Sequence, residues 1–124
     1  MIWISTEALL ALHETVVEQS GGTNGVRDTS LLDSAVNAPL AGFGGVEIYP
    51  TLKQKAVRLC YGIIANHPFV DGNKRTGTAA LLLILKANGV SFRPSHTELI
   101  RVIQAVAAGT CSESALLRWV EQST

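Results

Sequence analysis

The sequence is poor in several features that would otherwise direct its reading. Only Cys60 and Cys111 are cysteines, too few for a disulfide framework, and both fall in apolar helical patterns. They are expected as buried free thiols in a reducing, cytoplasmic setting. No charge sign dominates, because ten Lys+Arg balance ten Asp+Glu. Basic residues form no block and aromatics no stacking stripe, so nothing supports nonspecific nucleic-acid binding. The longest apolar run, Ala79 to Leu85, is far short of the roughly 20 residues that span a bilayer. Met1-Ile2-Trp3-Ile4 is short, uncharged and soon followed by Glu7, unlike a signal peptide, so a soluble protein is expected. No repeat, linker or low-complexity tract interrupts the chain. Neither a Walker A loop nor a His-Glu-x-x-His zinc motif occurs.

What the chain does have is apolar content, 47% hydrophobic against 16% charged over 124 residues. That suits a single globular domain spanning residues 1–124, with apolar surface left over for a partner-binding face. The periodicity predicts an all-α protein. Helix one runs from Ser5 to about Ser20 on Leu9, Leu12, Val16 and neighbouring Leu10 and Val17, and stops at Gly21-Gly22. His13 lies inside it and reads as a surface or interhelical histidine, since no second ligand stands at i+4. Asp28 or Thr29 caps a short second helix that Pro39 ends. Between Ala38 and Tyr49 the glycines 42, 44 and 45 and the alternation at 46–48 predict a mobile loop or small hairpin.

Pro50 is expected in the first turn of helix three, which carries Leu52, Ala56, Leu59, Cys60, Ile63 and Ile64 inward and ends at Asn66. Helix four is expected over Asn73–Asn88, closed by Gly89, apolar on every face at 79–85 and therefore central. Ser95-His96-Thr97-Glu98 reads as a capping box for helix five, with Leu99, Ile100, Val102, Ile103 and Val106 inward. Ser112 caps the last helix.

Chemistry concentrates in His67-Pro68-Phe69-Val70-Asp71-Gly72-Asn73-Lys74-Arg75-Thr76-Gly77. Two cations in the first turn of a helix oppose its dipole, whose end carries about half a positive charge. Asp71 offsets part of this, and a phosphate group would satisfy the remainder. An imidazole, with an ordinary pKa of about 6.5, accepts a hydroxyl proton near neutral pH, which makes His67 a candidate general base. Asp71 is a hard oxygen ligand suited to Mg²⁺, which phosphate sites hold through one or two carboxylates and phosphate oxygens. Asn73 reads as an ordinary N-cap and Phe69 as the anchor of the loop in the core.

The run from His67 to Arg75 resembles the signature of the Fic/Doc superfamily in its death-on-curing form. The resemblance extends to Leu12-His13-Glu14, Gly21-Gly22, Gly25-Val26-Arg27-Asp28, Leu31 to Ala35 and Tyr49-Pro50. It implies a compact six-helix Fic fold with a central buried helix. It also implies transfer of part of a nucleotide to a protein hydroxyl. His67 would be the base and Asp71 the Mg²⁺ ligand. Main-chain N–H groups from Gly72 onward would form an anion hole, with Asn73, Lys74 and Arg75 on phosphates. The segment from Ala41 to Tyr49 would be the flap that aligns the target.

Adenylylating members usually carry glycine where this chain has Lys74 and a second arginine where it has Thr78. The lysine fills space that glycine leaves open, and the missing arginine removes a bidentate clamp. The resemblance then implies ATP bound the other way round and transfer of its terminal phosphate, that is, a Ser/Thr kinase toxin. Elongation factor Tu as target and a small antitoxin partner are further implications. The alternatives are nucleotidyl transfer through the same residues and a catalytically weak protein-binding module.

Overall fold

In a computed structural model describing residues 1–124, the chain is mostly helical. Six helices form in order: α1 (Thr6–Ser20), α2 (Thr29–Asn37), α3 (Leu52–Asn66), α4 (Asn73–Ala87), α5 (His96–Ala107) and α6 (Glu113–Gln122). A 3₁₀ turn (Ala38–Leu40) and a two-stranded hairpin, β1 (Gly42–Phe43) and β2 (Val46–Glu47), separate α2 from α3. The expected six-helix fold with a small hairpin is therefore what forms.

Local chemistry sets most helix starts. Ser5, Asp28, Thr51, Ser95 and Ser112 each accept the main-chain N–H three residues on, giving α1, α2, α3, α5 and α6 a side-chain cap. Helix α4 differs: Gly72 precedes it in a left-handed conformation, with φ 76°, and provides no side-chain cap. Its first-turn donors are left for another acceptor.

The pair α3 and α4 forms the centre. One apolar cluster of 22 buried residues draws on all six helices, with Leu59, Ile63 and Ile64 of α3 packed against Ala80, Leu81 and Leu85 of α4. Helix α4 is central as expected, although not all of its apolar faces are covered: Leu83 is 47% exposed and Leu82 only partly buried. Burial follows one stripe of α4, and α3 shares the central position. At their crossing, a Cβ on Gly77 would lie 2.8 Å from Ile64 Cγ1 and 3.2 Å from the Cys60 carbonyl. Gly77→Ala is expected to lower unfolding free energy by about 1–3 kcal/mol through overpacking, despite alanine's helix-propensity advantage of about 1 kcal/mol. A reduced urea midpoint at unchanged slope checks this.

Other boundaries also differ from expectation. Pro50 precedes α3, which begins at Leu52 with a full Thr51–Gln54 capping box. Pro39 ends the α-helical pattern but lies in the 3₁₀ turn, where its missing N–H is tolerated. The Ser95–Glu98 box is half made, because the Glu98 carboxylate instead accepts from Trp119 Nε1. Ile100 and Leu10 are exposed, placed at the edges of their apolar stripes. Cys60 is buried, and burial pushes its thiol up to about 12. Cys111 is only partly buried, so the expectation of two buried thiols holds for one.

The 38–49 segment resolves as a hairpin. Gly42 pairs with Glu47 and Phe43 with Val46, and the intervening Gly44 and Gly45 have φ 58° and 80°, as a tight two-residue turn requires. Its base is tied to α3 by buried Lys55, which pairs with Glu47 at 3.1 Å and donates to the Tyr49 carbonyl. Phe43, Val46 and Ile48 project into solvent. No helix is long and apolar enough to cross a membrane.

A candidate anion site at the start of helix four

The loop between α3 and α4 is held from three sides. Helix α3 ends with His67 in the left-handed region, at φ 53° and ψ 60°, the one non-glycine residue with positive φ. Pro68 disfavours a right-handed helical conformation at the residue before it, so the helix turns out of register there. Arg27 holds the turn: its Nε donates to the His67 carbonyl at 2.6 Å and Nη2 to the Asn66 carbonyl at 2.7 Å. The Arg27 and Asp28 N–H groups both reach the Pro68 carbonyl, and Val26 bridges Phe69. No basic residue lies in the last turn of α3, so Arg27 supplies the cation its carbonyl end favours.

Asn73 holds the second side. Its Oδ1 accepts the Phe69 N–H at 3.1 Å and its Nδ2 donates to the Phe69 carbonyl at 3.0 Å. The expected N-cap role of Asn73 is corrected. Buried Asn73 is the first helical residue, and both ends of its amide are engaged with the loop. The third side is α1, where buried His13 stacks flat on Phe69, with ring centroids 3.8 Å apart and 5° between planes. Its Nε2 donates to the Asp71 carbonyl at 2.7 Å.

These constraints leave His67, Asp71, Gly72, Asn73, Lys74 and Arg75 lining one pocket of about 500 Å³, with Val70 as its only apolar wall. All six expected site residues therefore meet. The hairpin contributes none of the lining. His67 is exposed, and Asp71 is the one carboxylate present. Both Asp71 oxygens are steered by main-chain donors, Oδ1 by Gly72 N–H at 2.9 Å and Oδ2 by Thr23 N–H at 3.2 Å. A carboxylate has about four lone-pair positions, so capacity for a metal remains. Gly22 is packed tightly here, since a Cβ on it would stand 2.8 Å from Asp71 Oδ2.

Two details revise the charge argument. The Gly72 N–H, expected in the anion hole, is given to Asp71, so the open donors are those of Asn73, Lys74 and Arg75 at the helix start. Arg75 already has partners, because Nη1 donates to Ser20 at 3.1 Å and Nη2 to Gly21 at 3.5 Å, closing the carbonyl end of α1. Guanidinium has five N–H donors, so others remain for a ligand. Lys74 is exposed, and its ammonium bonds no protein group, while its carbonyl accepts from Thr78 Oγ1 at 2.7 Å.

Sequence reasoning missed Arg27 and His13 as supports of the site. For His13 a signal existed: Leu9, His13 and Val17 recur every four residues, and all three are buried. The reading of a surface or interhelical histidine is corrected, because His13 is buried and the groups it meets, Asp71 and Phe69, lie in the loop between α3 and α4.

The geometry defines an all-α protein with an uncapped helix terminus facing an imidazole, a steered carboxylate and two cations. Residues 3–85 match the Fic/DOC family, and the chain belongs to that family. It is 50% identical over 70 residues to "Toxin Doc" of Mycolicibacterium smegmatis, an alignment covering 56% of this chain and 54% of that toxin. It is also similar to "Protein kinase doc" of Escherichia phage P1, with 32% identity over 113 residues, covering 91% of this chain and 88% of that protein.

Proposed function

We propose that this protein is a cytoplasmic toxin-type kinase that moves the terminal phosphate of ATP to a Ser or Thr hydroxyl of a protein. The carrying observation is the single pocket in which His67, Asp71, Lys74 and Arg75 converge on the open start of α4. Similarity to a kinase over most of the chain supports the same reading. The family resemblance suggests elongation factor Tu as the substrate and a small antitoxin as the partner that holds the toxin in check.

His67 takes the proton of the target hydroxyl as its oxygen bonds to the terminal phosphorus. The bond from that phosphorus to the bridging oxygen breaks, and ADP leaves with the electron pair. Lys74, Arg75 and the open N–H groups of α4 bind the phosphate oxygens and stabilise charge in the transition state. Asp71 would hold Mg²⁺, a fit to its steered, exposed carboxylate, and the ion would supply charge neutralisation between phosphates. The hairpin, with Phe43 and Val46 exposed, is available to pair with an extended segment of the target.

Incubation with ATP labelled separately on the α- and γ-phosphates tests the donor atom. Label is expected on the target from the γ position alone. Transfer from the α position alone would establish nucleotidylation by the same residues, and transfer from neither position, with intact growth inhibition by His67→Ala, would favour a binding module.

A further inference from the structure

His13 lies eight residues after the Ser5 cap of α1 and belongs to no part of the proposed chemistry, yet it is buried and polar at 1% exposure. Its Nε2 lies 2.7 Å from the Asp71 carbonyl, which accepts, so this nitrogen carries the proton. In a trans peptide the carbonyl and the following N–H point in opposite directions. Drawing the Asp71 carbonyl towards α1 therefore turns the Gly72 N–H the other way, where it binds Asp71 Oδ1 at 2.9 Å. One hydrogen bond from α1 thus sets the plane that steers the carboxylate.

The surroundings leave that plane little freedom. The His13 ring is fixed by its flat stack on Phe69, which is fully buried and whose backbone is tied on both sides by Asn73. Gly72 sits at φ 76°, and a Cβ there would come within 3.4 Å of Val17 and 3.7 Å of His13 Nε2. Across the pocket Thr23 N–H fixes the other carboxylate oxygen.

We propose that His13 is a positioning residue for the metal-nucleotide site: it donates to the Asp71 carbonyl and thereby orients the Asp71 carboxylate for its cation. The inference rests on the reading of Asp71 given above. Removing an outer partner of a metal ligand weakens metal affinity by about 10–100-fold. His13→Phe keeps the stack and most of the volume but has no donor. His13→Gln has an N–H donor and loses the stack.

The test uses the full chain and titrates Mg²⁺ into calorimetric ATP binding. In His13→Phe the half-saturating Mg²⁺ concentration is expected to rise about tenfold or more, with metal-free ATP affinity unchanged; His13→Gln should recover part of the loss. A purely packing role predicts the reverse order, His13→Phe near wild type and His13→Gln impaired, and overturns the proposal. Asp71→Ala serves as control: if it leaves Mg²⁺ dependence unchanged, the reading of Asp71 fails on its own. Crystal structures of both His13 variants decide the positioning role without nucleotide. A turned Asp71–Gly72 peptide in His13→Phe, restored in His13→Gln, supports it, and an unmoved peptide in His13→Phe overturns it.

Discussion

Replacing His67 with asparagine is expected to reduce phosphoryl transfer by about 10²–10⁴-fold, the usual contribution of a positioned general base. The choice of asparagine follows from the backbone. His67 has φ 53° and ψ 60°, a conformation that costs most side chains roughly 1–2 kcal/mol but that asparagine visits readily. Alanine would mix a loss of chemistry with strain at the end of α3, whereas asparagine keeps the turn and removes the imidazole. Arg27 should still hold the carbonyls of residues 66 and 67, because those bonds involve main chain alone. The checks are the initial rate with γ-labelled ATP, the ATP affinity and the unfolding midpoint. The expected pattern is a large fall in rate with the other two near wild type. A variant that turns over at the wild-type rate removes His67 as the base.

The sequence carried the fold because most of its determinants are local. Ser5, Asp28, Ser95 and Ser112 cap helices whose acceptor–donor pairs are three residues apart, so the signal lies within one turn. Gly44-Gly45 likewise announces its own turn. Where reading failed, the determinant was distant. The His13 bond to Asp71 spans 58 residues and the Arg27 bond to His67 spans 40, and no spacing rule connects such pairs. Arg75 illustrates the consequence for charge: read locally it is an uncompensated cation at a positive helix end, yet it closes the carbonyl terminus of α1 across 55 residues. Asn73 departs from its expected cap role for a different reason. Asparagine before a helix is statistically a cap, and only the fold reveals that its amide faces back to Phe69. The site residues were legible because six of them are contiguous or nearly so; the scaffold that aims them was not.

Phe69→Ala is expected to lower the unfolding free energy by about 3–5 kcal/mol, the range for deleting a buried aromatic ring. Three other supports depend on this residue. Its ring is the surface on which His13 stacks, its backbone is the partner of the Asn73 amide, and it bridges Val26 in the segment that carries Arg27. Truncation opens a cavity between α1 and the loop, and the loss should spread to the groups that the loop presents. Phe69→Leu separates the effects, since it keeps much of the apolar volume and loses the flat stack, so it should cost clearly less than alanine. Urea unfolding gives the stability of each variant. ATP binding, measured where the variants remain folded, reports the site. Stability within about 0.5 kcal/mol of wild type for Phe69→Ala, the range of an ordinary surface substitution, would show that the loop is anchored elsewhere. The expected result is a joint fall in stability and nucleotide affinity. The groups lining the pocket are largely exposed, and the Phe69 ring beneath them is the buried apolar anchor that the hydrogen bonds of Arg27, Asn73 and His13 supplement.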